Sequence, residues 1–209
     1  MTATYLRDGA EIYRRSFATI RAEAELDGLD PVLSRTVVRM IHACGMVDLA
    51  GDVAASPGFG EAAAAALKAG APILCDTEMV ASGVTRSRLP AGNEIVCTLS
   101  HPDVPQLAAE LEATRSAAAL ELWGDRLDGG LAVIGNAPTA LYRLLELIGA
   151  SSRRPAAVIG GPVGFVGAAE SKEELARHPA ELEHLVVRGR RGGSAIAAAA
   201  VNALAHPAE

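Results

Sequence analysis

Five short apolar runs in the last two thirds of the 209-residue chain constrain its fold more than any other feature. They are "PILCD" (72–76), "EIVCTL" (94–99), "LAVIGN" (131–136), "AAVIGG" (156–161) and "HLVVRG" (184–189), each bounded by turn residues. None alternates apolar with polar positions, the pattern of strands covered on both faces in a parallel sheet. Helical segments separate them, at 77–83, 104–127, 138–149, 168–178 and 192–205. Strand and helix repeated in this way require right-handed crossovers, which predicts an α/β, three-layer sandwich around a five-stranded parallel sheet. Ligands of such sheets gather at the carboxyl ends of the strands. That directs attention to residues 75–78, 98–101, 135–138, 160–167 and 188–194.

Ahead of the first run the spacing is helical. Residues 8–26 place Ile12, Phe17 and Ile20 near one face, with Asp8 as N-cap. In 30–45, Asp30 caps, Pro31 takes the first helical position, Leu33, Val37 and Ile41 recur every four residues, and Gly45 ends the helix. A third helix over 61–70 stops at Gly70. The length suits one core, so the expectation is a single domain over 1–209.

Composition excludes several functions. A net charge of −6 argues against nucleic acid as a partner, because phosphate binding needs clustered positive charge. No apolar run approaches the roughly 18 residues that would cross a membrane. The charged N-terminal stretch lacks a secretory pattern, so the expected location is cytoplasmic. Cys44, Cys75 and Cys97 are widely spaced and read as buried free thiols, and no metal site is expected. Of the 19 cations, 17 are arginine. That bias suits a polyanionic ligand held by bidentate forks, and it equally suits a GC-rich coding sequence.

The glycine-rich stretch 160–171 matches neither dinucleotide-binding nor Walker spacing. It is open between a loop that wraps a flat ligand and a plain strand-to-helix turn. "RGRRGGS" (188–194) and "GVTRSRLPAGNE" (83–94) are arginine-bearing loops that suit an anion or simply face solvent. His42 shares a helical stripe with Arg35 and Arg39. Neighbouring cations disfavour its protonation, whereas the helix C-terminus favours it. Cys44, two positions on, points elsewhere, which removes a His–Cys metal pair. These residues alone leave His42 open between helix cap and general acid. His101, His178, His184 and His206 have ordinary settings, and no nucleophile elbow or catalytic carboxylate pair is present.

Several segments resemble one family throughout: "IYRRSFATIRAEA", "VRMIHACGMVD", "ALKAGAPILCDTEMVASGVTR", "LPAGNEIVCTL", "TRSAAALELW", "IGNAPTALYRLLEL", "GPVGFVGAAESKEEL" and "VRGRRGGSAIAAAAVNALA". In order, they are similar to the precorrin-8X methylmutases of cobalamin biosynthesis. Only "VDLAGDVAASPGFG" finds no clear match. The resemblance implies a flavodoxin-like fold and a homodimer holding a tetrapyrrole near the subunit interface. It further implies an isomerase that moves a methyl group from C-11 to C-12 of precorrin-8X to give hydrogenobyrinate, without cofactor. By motif, His42 becomes proton donor or acceptor, with Ser16 and Arg39 at the substrate. Thr85, Arg86, Arg115, Arg188, Arg191 and Ser194 are further candidates for the carboxylate arms. A non-catalytic corrinoid carrier would use the same loops for affinity alone, and a flavin- or nucleotide-binding domain would share only the architecture.

Overall fold

A computed structural model describes residues 5–206, so the ends of the expected 1–209 domain lie outside it. The chain runs α1 (Gly9–Glu23), α2 (Pro31–Cys44), β1 (Val53–Ala55), α3 (Phe59–Lys68), β2 (Ile73–Cys75), α4 (Glu78–Gly83) and β3 (Ile95–Cys97). It continues through α5 (Val104–Glu110), α6 (Arg115–Ala119), β4 (Leu131–Ile134), α7 (Pro138–Gly149), β5 (Ala157–Gly160), α8 (Ala168–Ala176), β6 (His184–Val187) and α9 (Ser194–Ala205). The sheet order is β1-β6-β5-β4-β2-β3. Counted from β2, its parallel strands follow the flavodoxin order 2-1-3-4-5.

The sheet has six strands and not five. The added strand, β1, pairs antiparallel with β6, with Ala54 opposite Val186. It lies within the segment "VDLAGDVAASPGFG", and its three partly buried residues carry too little periodicity to announce a strand. The long helix expected over 104–127 is also divided. Glu112 takes a left-handed backbone with φ 49°, and the Thr114 hydroxyl then accepts the amide of Ala117 to start α6. A 3₁₀ stretch, Leu120–Leu127, follows and bends at Gly124.

The parallel strands explain their featureless sequences. Ile73, Cys75, Leu131, Val133, Ile159 and Leu185 join one core with α1, α2, α3, α4 and α9. Leu74, Ala132, Ile134, Val158 and Val186 join a second with α7, α8 and the 3₁₀ stretch. Alternate residues therefore enter different cores, and both must be apolar. On the first side α9 is buried along nearly its whole circumference, with α2 lying along it and α1 packed on α2. Gly135 permits this closeness, since a Cβ there would stand 2.6 Å from Val80 and 3.0 Å from Ala197.

The caps fall where the sequence places them. Asp8 accepts the amides of Ala10 and Glu11 at 3.0 and 3.3 Å. Asp30 accepts those of Val32 and Leu33 at 2.8 and 3.0 Å, and Gly45 closes α2 with φ 72°. Of the apolar positions assigned to α1, Phe17 and Ile20 are buried, whereas Ile12 remains 44% exposed.

Candidate active site

α1 and α2 pack so that Ser16 Oγ lies 2.9 Å from His42 Nδ1. When the hydroxyl donates to Nδ1, the proton of the neutral imidazole sits on Nε2, the ring nitrogen across from Ser16. The rings of Tyr13 and Phe17, one turn earlier and one residue later than Ser16, pack on the imidazole with centroids 5.2 and 4.9 Å away. Partial burial, and secondarily the Arg39 cation, hold the His42 pKa below its ordinary value. In the competition between nearby cations and the helix end, the lowering effects win.

A groove of about 790 Å³ runs beside this pair, lined by Tyr13, Arg14, Phe17, Arg39, Thr85 and Arg88 among others. The Arg39 guanidinium lies 5.3 Å above the Phe17 ring. Its pKa is lowered by burial and then by Arg88, so cations crowd here without a compensating carboxylate on Arg39 among the described residues. His42 itself opens on a smaller hollow with Ser16, Thr19, Glu23 and Val47. Tyr13 and Phe17 connect the two, because both rings line the groove and pack on the imidazole.

The structure therefore gathers Ser16, Arg39, His42 and Thr85 around one region. Other candidates lie elsewhere. Arg86 faces a separate hollow with Glu78, Ser82 and Cys97. Arg115 is exposed and donates to the Leu99 carbonyl at 3.4 Å. Arg188 is exposed, with its backbone N–H donating to Asp52 O at 2.7 Å. Arg191 donates to Asp48 at 2.6 Å and has Nη1 3.2 Å from Asp52. Ser194 is buried at the start of α9. Tyr13, Phe17 and Arg88 were not among the sequence candidates. Tyr13 and Phe17 flank Ser16 in "IYRRSF", and Arg88 lies two positions from Arg86.

At the switch point of the sheet, Asp76 accepts the amides of Gly135, Asn136 and Ala137 at 2.9, 3.0 and 2.9 Å. Burial raises its pKa while these three bonds oppose the shift. Its carboxylate secures the loop after β4, and the groove lies to one side, among α1, α2 and residues 85–88. The three cysteines are free, with Cys75 buried and Cys44 and Cys97 partly buried. Burial pushes the Cys97 thiol up to about 11 and Cys75 higher, so neither is a ready nucleophile. Cys44 Sγ is directed at the Ile41 carbonyl, 3.6 Å away.

The sequence matches the precorrin-8X methylmutase family (CbiC) over residues 11–207. A precorrin-8X methylmutase of Pseudomonas aeruginosa is 63% identical over 96% of this chain and 97% of its own length. One from a Sinorhizobium species is 59% identical over 97% of each. A cobalt-precorrin-8 methylmutase of Methanothermobacter thermautotrophicus is 38% identical over 94% of this chain and 92% of its own. Among solved structures, the precorrin-8X methylmutase of Thermus thermophilus superposes with a TM-score of 0.85 at 40% identity, covering 94% of this chain and 95% of that one.

Proposed function

The chain belongs to the precorrin-8X methylmutase family and is an isomerase of cobalamin biosynthesis, and we propose that it moves a methyl group from C-11 to C-12 of precorrin-8X, with His42 as the proton donor. The observation that carries this reading is the Ser16–His42 pair, 2.9 Å apart, set behind a groove whose Arg39 meets no carboxylate among the described residues. Its volume of about 790 Å³ falls in the range of small-molecule sites.

The rearrangement is intramolecular: one carbon–carbon bond breaks and another forms, and the substrate supplies every atom. The protein's part is to hold the ring and manage one proton. A proton delivered from Nε2 of the imidazolium form of His42, whose Nδ1–H donates to Ser16 Oγ, makes the conjugated ring electron-poor and eases the migration, and its return restores the acid. Ser16 fixes the imidazole. Arg39 takes a carboxylate arm, and Thr85 and Arg88 extend that anchorage along the groove. Arg86, Arg115, Arg188, Arg191 and Ser194 are not needed by this arrangement.

The two relatives at 63% and 59% identity are named for precorrin-8X, and one named for the cobalt form is 38% identical, which supports a metal-free substrate. Turnover should be faster on precorrin-8X than on its cobalt-loaded form, and the reverse order would overturn this choice. We also propose a cytoplasmic location and a homodimer, the dimer alone being supported by the exposed Ile12 and Tyr13 on α1, 44% and 50% accessible. Light scattering should give twice the chain mass.

The test is spectroscopic. Precorrin-8X mixed with the protein should acquire the spectrum of hydrogenobyrinate. His42→Gln should lose about 100- to 10,000-fold in turnover while still binding product. A wild-type protein that binds hydrogenobyrinate tightly yet never consumes precorrin-8X would be a carrier, and unchanged turnover in the variant would remove His42 from the chemistry.

A further inference from the structure

Lys172 is 1% exposed, yet no carboxylate among the described residues pairs with its ammonium. Its two hydrogen-bond partners are backbone carbonyls from separate loops. Nζ donates to Pro162 O at 3.1 Å, in the loop after β5, and to Arg191 O at 2.7 Å, in the loop after β6. An ammonium buried in this manner costs free energy that a methionine of similar length would not. The expense has a geometric return, since one side chain fixes two loops relative to each other.

Further bonds run between the same loops. Gly193 N–H donates to Gly161 O at 2.8 Å, and Gly164 N–H donates to Arg190 O at 3.2 Å. Gly192 lies so close that a Cβ would stand 2.2 Å from Gly161 O. From this pair a bridge reaches the C-terminal end of the helix that carries His42. Arg191, whose carbonyl Lys172 holds, extends its guanidinium to Asp48 at 2.6 Å and Asp52 at 3.2 Å. Both aspartates belong to the 3₁₀ turn Val47–Asp52, which begins two residues past Gly45. The same turn accepts Arg188 N–H at Asp52 O, 2.7 Å away.

We propose that Lys172 and Arg191 form a clasp that joins the two glycine-rich loops to the turn after α2, making both positioning residues for His42 rather than ligands for the substrate's carboxylates. The proposal rests on the methylmutase reading for its catalytic consequence. Arg191 has its charge engaged by Asp48 and Asp52, and Lys172 has no open face to offer an anion. Burial draws the Lys172 pKa down to about 8, against an opposing pull from the Asp52 carboxylate, which lies too far away to pair with it.

Arg191→Met and Lys172→Met separate positioning from binding. Each should lower kcat by about tenfold or more, because a displaced general acid loses rate without losing ligand. The affinity for hydrogenobyrinate and its salt dependence should stay at the wild-type level, and Arg191→Lys should recover most of the rate. Weakened product binding with a flattened salt dependence in Arg191→Met would make Arg191 an anion ligand and overturn the proposal. So would full kcat in Lys172→Met. Should Lys172→Met fail to fold, Asp48→Asn with Asp52→Asn tests the same bridge from its exposed side, with the same loss of kcat expected and unchanged kcat contradicting it. Absent wild-type turnover would instead overturn the methylmutase reading. The clasp is then judged by amide exchange, which Arg191→Met should accelerate together in residues 161–167, 188–193 and 45–52, and exchange unchanged in any of the three would refute it.

Discussion

On the side of α7, Arg143 sits between Glu121 at 2.6 Å and Glu146 at 2.7 Å, whereas on the side of α2, Arg39 lies over the Phe17 ring with no such partner among the described residues. Arg153 with Asp125 and Arg177 with Glu173 repeat the first arrangement, at 2.6 and 3.0 Å. The consequences for the two groups are opposite. Hydrogen bonds donated to Glu146 and Glu121 raise the Arg143 pKa, whereas burial and Arg88 lower that of Arg39. A fork already filled by carboxylates has little to give a ligand. One held among cations on an aromatic face is improved by any anion that arrives. The arginine excess thus contains two kinds of setting, and the second is the one we propose for an acidic macrocycle.

The largest effect that would break this contrast belongs to Arg39. Arg39→Met should weaken hydrogenobyrinate binding by about 1.5–3 kcal/mol, roughly 10- to 150-fold, the loss of a charge-assisted hydrogen bond. Wild-type affinity should fall as salt rises, and this variant should fall less steeply, since it lacks one of the charges being screened. Equal slopes would mean that burial of the ring, and not charge, dominates recognition.

The smallest effect belongs to the opposite face. Arg143→Met should leave turnover and product affinity unchanged and lower stability by about 1 kcal/mol in denaturant unfolding, because the cluster is only partly withdrawn from water. A clear loss of affinity there would erase the distinction between the two settings.

Much of the architecture was legible because burial on two faces leaves a direct mark. The strand cores Ile73–Cys75, Leu131–Ile134 and Ala157–Gly160 lie inside apolar runs, and Asp30, Pro31 and Gly45 bound α2 by local chemistry. β1 left no such mark, being a three-residue edge strand whose pairing with β6 is set by distant chain. The break at Glu112 was hidden for a similar reason, since α5 and α6 each continue an acceptable helical pattern. At the site, the motifs "IYRRSF" and "VRMIH" made Ser16, Arg39 and His42 readable. Spacing within α2 could not show that Tyr13, Ser16 and Phe17 would come across from α1, which depends on how two helices pack. Nor could it show that Arg191 turns to Asp48, 143 positions earlier.

The central claim is that burial and, second to it, an Arg39 cation with no carboxylate partner among the described residues hold the His42 pKa down until an acidic ligand docks. Lowering of the His42 pKa comes first from burial and then from Arg39. In the free protein the imidazole should therefore titrate below its unfolded value, so its contribution to stability is complete above about pH 6.5 and is lost as pH falls through the lower folded value. A carboxylate on Arg39 cancels the repulsion and should raise the pKa. The direct measurement is an NMR titration of the His42 imidazole with and without hydrogenobyrinate. An upward shift on binding that disappears in Arg39→Met is the result expected. A pKa that does not move, or that falls when product binds, would contradict the account.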